Sequence, residues 1–301
     1  MEKLVSIVIP TYNRAKTVVR AVKSVLAQTY QNYKIIVVDD ASTDNTQEAL
    51  SHITDKRFSY IRHPYNKNGS AARNTGIRAA EGEYLALLDS DDEWENNKLA
   101  RQVAVLETLA ENIWGGTYCG FKYITPQFSR DVIPVLKGDL TLALFQKQLD
   151  IGASSTLFFR RKIFDSVGLF DESFERHQDL EFLVRFFRKF QLYTIQEPLV
   201  RVYGPNMPKG DKSAKIKEKF LNTFKTDIEK FGQKTANEVY SKHWEEVAKA
   251  YAREANGSSF VRYVRKANEF FPIPFNRRKE LFIIYAKSLL KKWLFFGIKR
   301  S

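Results

Sequence analysis

The feature that most limits what this chain can become is the run Leu4-Val5-Ser6-Ile7-Val8-Ile9, almost wholly aliphatic and stopped by Pro10. A strand without polar alternation has both faces covered, the condition of a parallel sheet flanked by helices. The next residues supply the cover: Val18, Val19, Ala21, Val22, Val25 and Leu26 recur at helical spacing within 17–28. A second apolar run, Tyr33-Lys34-Ile35-Ile36-Val37-Val38, ends in Asp39-Asp40 and completes a βαβ unit. Ser42, Thr43 and Asp44 are N-cap candidates for a helix over 46–53, and Phe58-Ser59-Tyr60-Ile61 reads as a third strand. A helix over 74–80 precedes a fourth strand, Tyr84-Leu85-Ala86-Leu87-Leu88, which runs into Asp89-Ser90-Asp91-Asp92. Strands alternating with helices describe an open α/β sheet, whose ligands sit beyond the carboxyl ends of the strands.

From about residue 115 the pattern shifts to short aromatic-rich strands, including 117–124 and 155–161. Leu180, Leu183, Val184, Phe186 and Phe187 then fit a helix beginning near Gln178, and the chain after Pro208 is mainly helical. The segment 204–210, with a glycine at each end and two prolines, admits two readings, a loop closing over a ligand or a passive connector.

The net charge of +13 raises the question of a nucleic-acid partner. Residues 1–208 hold 26 basic and 25 acidic side chains, whereas 209–301 hold 22 and 10. The excess therefore belongs to the tail, and no nucleic-acid motif accompanies it. No Gly-x-Gly-x-x-Gly follows the first strand, which argues against a dinucleotide-dependent oxidoreductase. The single cysteine, Cys119, excludes an internal disulfide and a multi-cysteine zinc site, and reads as a packed small hydrophobe. Neither a signal-peptide pattern nor a run of roughly 20 apolar residues is present, so a cytoplasmic protein is expected.

Three acidic groups fall where the sheet places ligands: Asp39-Asp40, Asp89-Ser90-Asp91-Asp92, and Asp179 at the start of a later helix. Each alone has an ordinary explanation, as a turn, a solvated loop or a helix-dipole complement. Together they bring carboxylates into one crevice, where a hard divalent cation would neutralise them; Mg²⁺ or Mn²⁺ held by one or two carboxylates and substrate phosphates is the expected form.

The order and spacing carry more. Val5-Ser6-Ile7-Val8-Ile9-Pro10-Thr11-Tyr12-Asn13-Arg14, then Val37-Val38-Asp39-Asp40-Ala41-Ser42-Thr43-Asp44, then Ala72-Arg73-Asn74-Thr75-Gly76, then Leu87-Leu88-Asp89-Ser90-Asp91-Asp92 closely resemble the family 2 glycosyltransferases. The resemblance, to the bacterial surface-polysaccharide type, covers roughly residues 4–200. It implies an α/β, GT-A Rossmann-like open sheet with a mainly helical C-terminal extension. The corresponding domains are 1–208, with a nucleotide-binding part over 1–114 and an acceptor-binding part over 115–208, and a basic helical region over 209–301.

The resemblance also assigns roles. Pro10, Tyr12 and Asp40 hold the nucleotide base and ribose, and Arg73 faces the base or the diphosphate, with Asn66 a further candidate. The Asp-x-Asp motif gives Asp89 to ribose or metal-bound water and Asp91 to the metal, with Asp92 beside it. Asp179 matches the position of the general base. Gln178 stands where the family has an acid, and His177 is assigned to orienting or acceptor contacts. The implied enzyme is an inverting, metal-dependent hexosyltransferase moving a sugar from a nucleotide diphosphate, UDP-linked by preference, to a glycan or lipid-linked glycan hydroxyl. The other reading is a nucleotide-sugar-binding protein without transfer activity.

The tail interleaves Leu281, Phe282, Ile283, Leu289, Leu290, Trp293 and Leu294 with Lys287, Lys291 and Lys292. Two readings stay open. One is a helix lying in an anionic membrane surface, which would make the protein peripheral on the inner face of the cell membrane. The other is a terminal helix packed on the core with a solvated basic face.

Overall fold

The computed structural model describes residues 2–204 and 208–298. The chain divides into two compact units, Met1–Leu144 with Leu149–Pro205, and Phe145–Gln148 with Asn206–Ser301. Phe145–Gln148, which a linear division gives to the first part, packs with the second.

In the first unit β1 (Val5–Thr11) is buried along its whole length. The helix α1 (Val18–Leu26) buries Val18, Ala21, Val22 and Val25, the stripe its spacing predicts. Next come β2 (Tyr33–Asp39), α2 (Thr46–Ser51) and β3 (Phe58–Arg62). The side chain of Asp44, not of the nominal cap Asn45, accepts the Thr46 amide at the start of α2. The helix α3 (Gly69–Arg78) begins five residues ahead of its expected start, because Asn68 caps it by accepting from the amides of Ser70 and Ala71. Gly76 lets α3 lie directly on the sheet: a Cβ there would meet Val8 Cγ1 at 2.3 Å.

The strand β4 (Tyr84–Leu87) is followed by the short β5 (Glu93–Trp94), α4 (Lys98–Glu107), β6 (Trp114–Ile124) and β7 (Ser129–Val132). After α5 (Thr141–Phe145) and a 3₁₀ turn at Ser154–Thr156 come β8 (Phe158–Arg160), α6 (Ile163–Val167), α7 (Gln178–Phe187) and β9 (Gln191–Tyr203).

The strands form one mixed sheet in the order β3-β2-β1-β4-β8-β6-β9-β5, with β7 on β6. β3, β2, β1 and β4 are parallel; β8 runs antiparallel to β4 and to β6. The chain leaves β1 toward β2 and β3 and returns to β4 on the other side of β1. That switch opens a crevice at the carboxyl ends of β1 and β4, where Thr11 and Asp89 emerge. β9 carries Pro198 in its interior, tolerated because the β6–β9 register shifts around Gly120, its partner. Cys119 is fully buried in the core, as its sequence context suggests, and burial pushes its thiol up to about 11.

The second unit is helical: α8 (Gly210–Thr223), α9 (Lys225–Glu229), α10 (Gln233–Arg253), α11 (Gly257–Phe270) and α12 (Phe275–Ile298). Phe145 sits among Phe220, Phe224 and Phe231 in its core. Of the segment 204–210, Pro205, Asn206 and Met207 lie outside the described residues.

Candidate active site

The crevice at the switch is a cleft of about 280 Å³, and six predicted residues line it: Pro10, Tyr12, Asp40, Arg73, Asp89 and Asp91. Pro10 is the penultimate residue of the buried β1, and Tyr12, just past the strand, exposes 43% of its surface. Asn66 is exposed and does not line the cleft; its Nδ2 donates to the Asp40 carbonyl at 3.2 Å. A wider hollow of about 510 Å³ lies beside α1 and β5 and contains none of the predicted residues. Its two arginines are paired with its two glutamates, Arg20 with Glu93 and Arg201 with Glu95.

Asp40 is buried and already well engaged. Its Oδ1 accepts from the Lys67 amide at 2.9 Å and lies 2.7 Å from His63 Nδ1, while Oδ2 accepts from the Asn68 amide at 2.8 Å. It thus ties the end of β2 to the turn that starts α3, and so sets where Arg73 stands.

Arg73, buried on α3, is the hub. Its Nη2 donates to Asp89 Oδ1 at 2.5 Å and its Nη1 to Gln178 Oε1 at 2.5 Å. Gly69 makes room for this pair: a Cβ there would stand 3.2 Å from both Arg73 Nη1 and Gln178 Oε1. Gln178 also donates to the Phe174 carbonyl at 2.9 Å, so the residue replacing the family acid serves as a neutral clamp between α3 and α7.

Asp179 follows at the first turn of α7. Its Oδ1 accepts from the Leu180 amide at 2.9 Å. Burial pushes its carboxyl above the usual carboxylate range; the Arg73 charge pulls it back and the Asp89 charge pushes it further up. Asp179 is therefore within electrostatic reach of the cleft's charges without lining the cleft itself. Its helix is held by a phenylalanine cluster in which Phe182 stacks on Phe170 at 4.7 Å and on Phe164 at 5.2 Å. His177, the residue before α7, has φ 59°, a left-handed conformation that costs a side chain about 1–3 kcal/mol and aims the start of the helix.

The acids after β4 divide by environment. Asp91 keeps 40% of its side chain exposed and faces Arg14 at 3.5 Å, while its carbonyl accepts from Arg20 at 2.7 Å. Burial, then Asp89, pushes its carboxyl up, against the pull of Arg14. Asp92 points into the protein, where burial and the neighbouring Asp89 hold it well above the carboxylate range.

Sequence reasoning missed Ser155, which joins the two sides of this loop: its Oγ accepts from the Asp89 amide at 3.0 Å and donates to Asp92 Oδ2 at 2.6 Å. No sequence signal marks it, since its partners are more than sixty residues away. Arg14 was visible in the Thr-Tyr-Asn-Arg segment, and only the fold brings it to Asp91. We expect Ser155→Ala to lower stability by about 1–3 kcal/mol, because the buried Asp92 carboxyl and the half-buried Asp89 amide each lose a bond. Urea denaturation checks this; a variant as stable as the parent would deny Ser155 its bracing role.

Among the described residues no three His, Cys, Asp or Glu side chains converge as a ready metal cage. The donor set nevertheless fits a hard divalent ion that takes one or two carboxylates and completes its shell with phosphate oxygens. Asp91 is open to the cleft and its negative charge is disfavoured by burial and by Asp89, a penalty a cation would remove. Two buried polar atoms at the cleft, Thr11 Oγ1 and Arg73 Nε, have no hydrogen-bond partner, which suits a cleft that receives a polar ligand.

Comparison with known proteins adds the following. The family model described as Glycosyl transferase family 2 matches residues 6–168. An uncharacterized glycosyltransferase of Rickettsia prowazekii is 35% identical over 206 residues, 66% of this chain and 63% of that protein. The UDP-Glc:alpha-D-GlcNAc-diphosphoundecaprenol beta-1,3-glucosyltransferase WfaP of Escherichia coli is 43% identical over 106 residues, 35% of this chain and 42% of its own length. The match thus spans less than two thirds of either relative. Among solved structures, S. aureus TarS 1-349 in complex with UDP superposes with a TM-score of 0.56 at 16% identity, over 88% of this chain and 90% of that one, a likeness of fold.

Proposed function

This chain belongs to glycosyl transferase family 2 and has the GT-A fold, and from that premise we propose that it is an inverting hexosyltransferase. Its donor would be a nucleotide-diphosphate sugar, UDP-linked by preference, and its acceptor a hydroxyl of a glycan or lipid-linked glycan in bacterial surface-polysaccharide assembly. The activity for which the Escherichia coli relative WfaP is named supports that choice of donor and acceptor. The enzyme would work in the cytoplasm, at the inner face of the membrane.

The single observation that supports this reading is the hub at Arg73, a cleft residue bonded both to Asp89 and to Gln178, the neighbour of Asp179. The division of labour follows from the surroundings. The exposed ring of Tyr12 offers a face for the base beside Pro10. Asp40 Oδ2 accepts one amide and retains a lone pair for a base N–H. Arg73 and Arg14 place positive charge where the diphosphate would lie. Mn²⁺ or Mg²⁺ held by Asp91 would supply Lewis-acid stabilisation of the leaving diphosphate. Asp179 has one oxygen occupied by the Leu180 amide, which leaves Oδ2 to take the acceptor's proton as its oxygen attacks the anomeric carbon. Attack opposite the leaving group inverts configuration. Asn66, outside the cleft, would act only through Asp40, and His177 would orient the start of α7.

Calorimetric titration with UDP tests the donor side. Affinity is expected to fall about tenfold or more when Mn²⁺ and Mg²⁺ are chelated, and similarly in Asp91→Ala. Equal affinity with and without metal would contradict the assignment of Asp91. Hydrolysis screened across UDP-, GDP- and dTDP-sugars would name the donor, and turnover confined to GDP-sugars would overturn the preference for UDP.

A further inference from the structure

The helix α12 has two unlike sides. Leu281 is buried, Tyr285 stacks on Phe260 of α11 at 5.0 Å, and Ile284 and Ser288 lie half-buried on the same side. The start of the helix is pinned to α10 by Lys249–Glu280 at 2.6 Å and Arg277–Glu245 at 2.8 Å. On the opposite side Phe282 is 65% exposed, Leu290 61%, Trp293 74% and Leu294 55%, with Ile283 and Leu289 also open. At 3.6 residues per turn these six side chains fall within an arc of roughly 140°. Lys287 borders that arc, while Lys291 and Lys292 lie roughly 60° beyond its two edges, all three exposed. From Leu289 to Leu294 every residue is exposed, so this stretch of the helix carries its apolar face into solvent.

A continuous apolar stripe of this kind on a charged helix calls for an occupant. We propose that α12 lies in the plane of an anionic lipid bilayer, its apolar arc sunk to the level of the upper acyl chains and its lysines on the headgroups. The charge pattern selects this occupant. Lysine stems reach upward from a submerged helix to anionic phosphates, and Trp293 suits the boundary, where an indole keeps its ring in hydrocarbon and its N–H in water. A second copy of the same face would set lysine-edged arcs against each other and leave like charges opposed. No helix among the described residues is long and apolar enough to cross a membrane, so the mode is lateral. The inference deepens the proposed reaction by naming the surface that would present a lipid-linked acceptor, and it stands on the helix alone.

Sedimentation of the full chain with vesicles, without any donor, tests it. Binding is expected to vesicles of phosphatidylcholine and phosphatidylglycerol in equal parts, to be weak to phosphatidylcholine alone, and to fall as salt rises. Replacing Lys287, Lys291 and Lys292 by Gln should weaken binding roughly 100-fold, at about fivefold per lysine. Leu290→Ser with Trp293→Ser should abolish it while leaving thermal melting unchanged, because both side chains face solvent. Failure to sediment with anionic vesicles, or sedimentation indifferent to both sets of substitutions, would overturn the inference. So would a concentration-dependent dimer dispersed by the serine pair, since the face would then belong to a second copy. A chain that ignores vesicles yet binds UDP with metal would sink this inference and leave the proposed transferase intact.

Discussion

Asp179→Asn is expected to lower kcat for sugar transfer about 10²–10⁴-fold while changing UDP affinity by no more than a few fold. The amide keeps the size of the side chain, and its oxygen can still accept from the Leu180 amide, but it cannot take a proton. Asp179 does not line the donor cleft, so nucleotide binding has little reason to change. The pH profile supplies a second readout. A base works only when ionised, and burial has raised this carboxyl. Transfer should therefore climb with pH along an acid limb lying above the ordinary carboxylate range, and that limb should vanish in the variant. A variant that transferred sugar at the parent rate would show that Asp179 is not the base.

Arg73→Met should cost about 10²–10³-fold in kcat/KM, the scale of losing one preorganised electrostatic group. Three losses combine. Asp89 loses its ion pair, Gln178 Oε1 its donor and, on the proposed reading, the diphosphate a cation. The sign of the pH effect is fixed: the Arg73 charge lowers the pKa of Asp179, so its removal moves the acid limb to higher pH. Asp89→Asn should move it the other way, because the Asp89 charge raises that pKa. An unshifted limb in Arg73→Met, in a protein that still melts like the parent, would mean that Arg73 does not govern the base.

Much of this was legible in the sequence for a simple reason. A strand buried on both faces must be apolar at every position, so β1, β2 and β4 announce themselves as runs, and their ends mark the cleft. The acids at 40, 89 and 91 stood out because together they fall at strand ends, where an open α/β sheet places its ligands. β9 was not legible, since Glu197 and Pro198 break its pattern and only the β6 register at Gly120 accommodates them. The early start of α3 was hidden as well, because its cap, Asn68, lies in a polar turn with no periodicity of its own.

What the sequence determined by itself was the parallel part of the sheet, β1 to β4, the acids that follow β2 and β4, and the kinds of side chain available there. These are local matters, set by which residues can be buried and at what spacing. What only the tertiary structure decided was which charge meets which: Arg73 between Asp89 and Gln178, Ser155 between Asp89 and Asp92, and Asp40 fastened to His63. It also decided which side of α12 faces water. Those outcomes depend on distances between chain segments tens of residues apart, and electrostatic and hydrogen-bond energies fall away within a few ångströms.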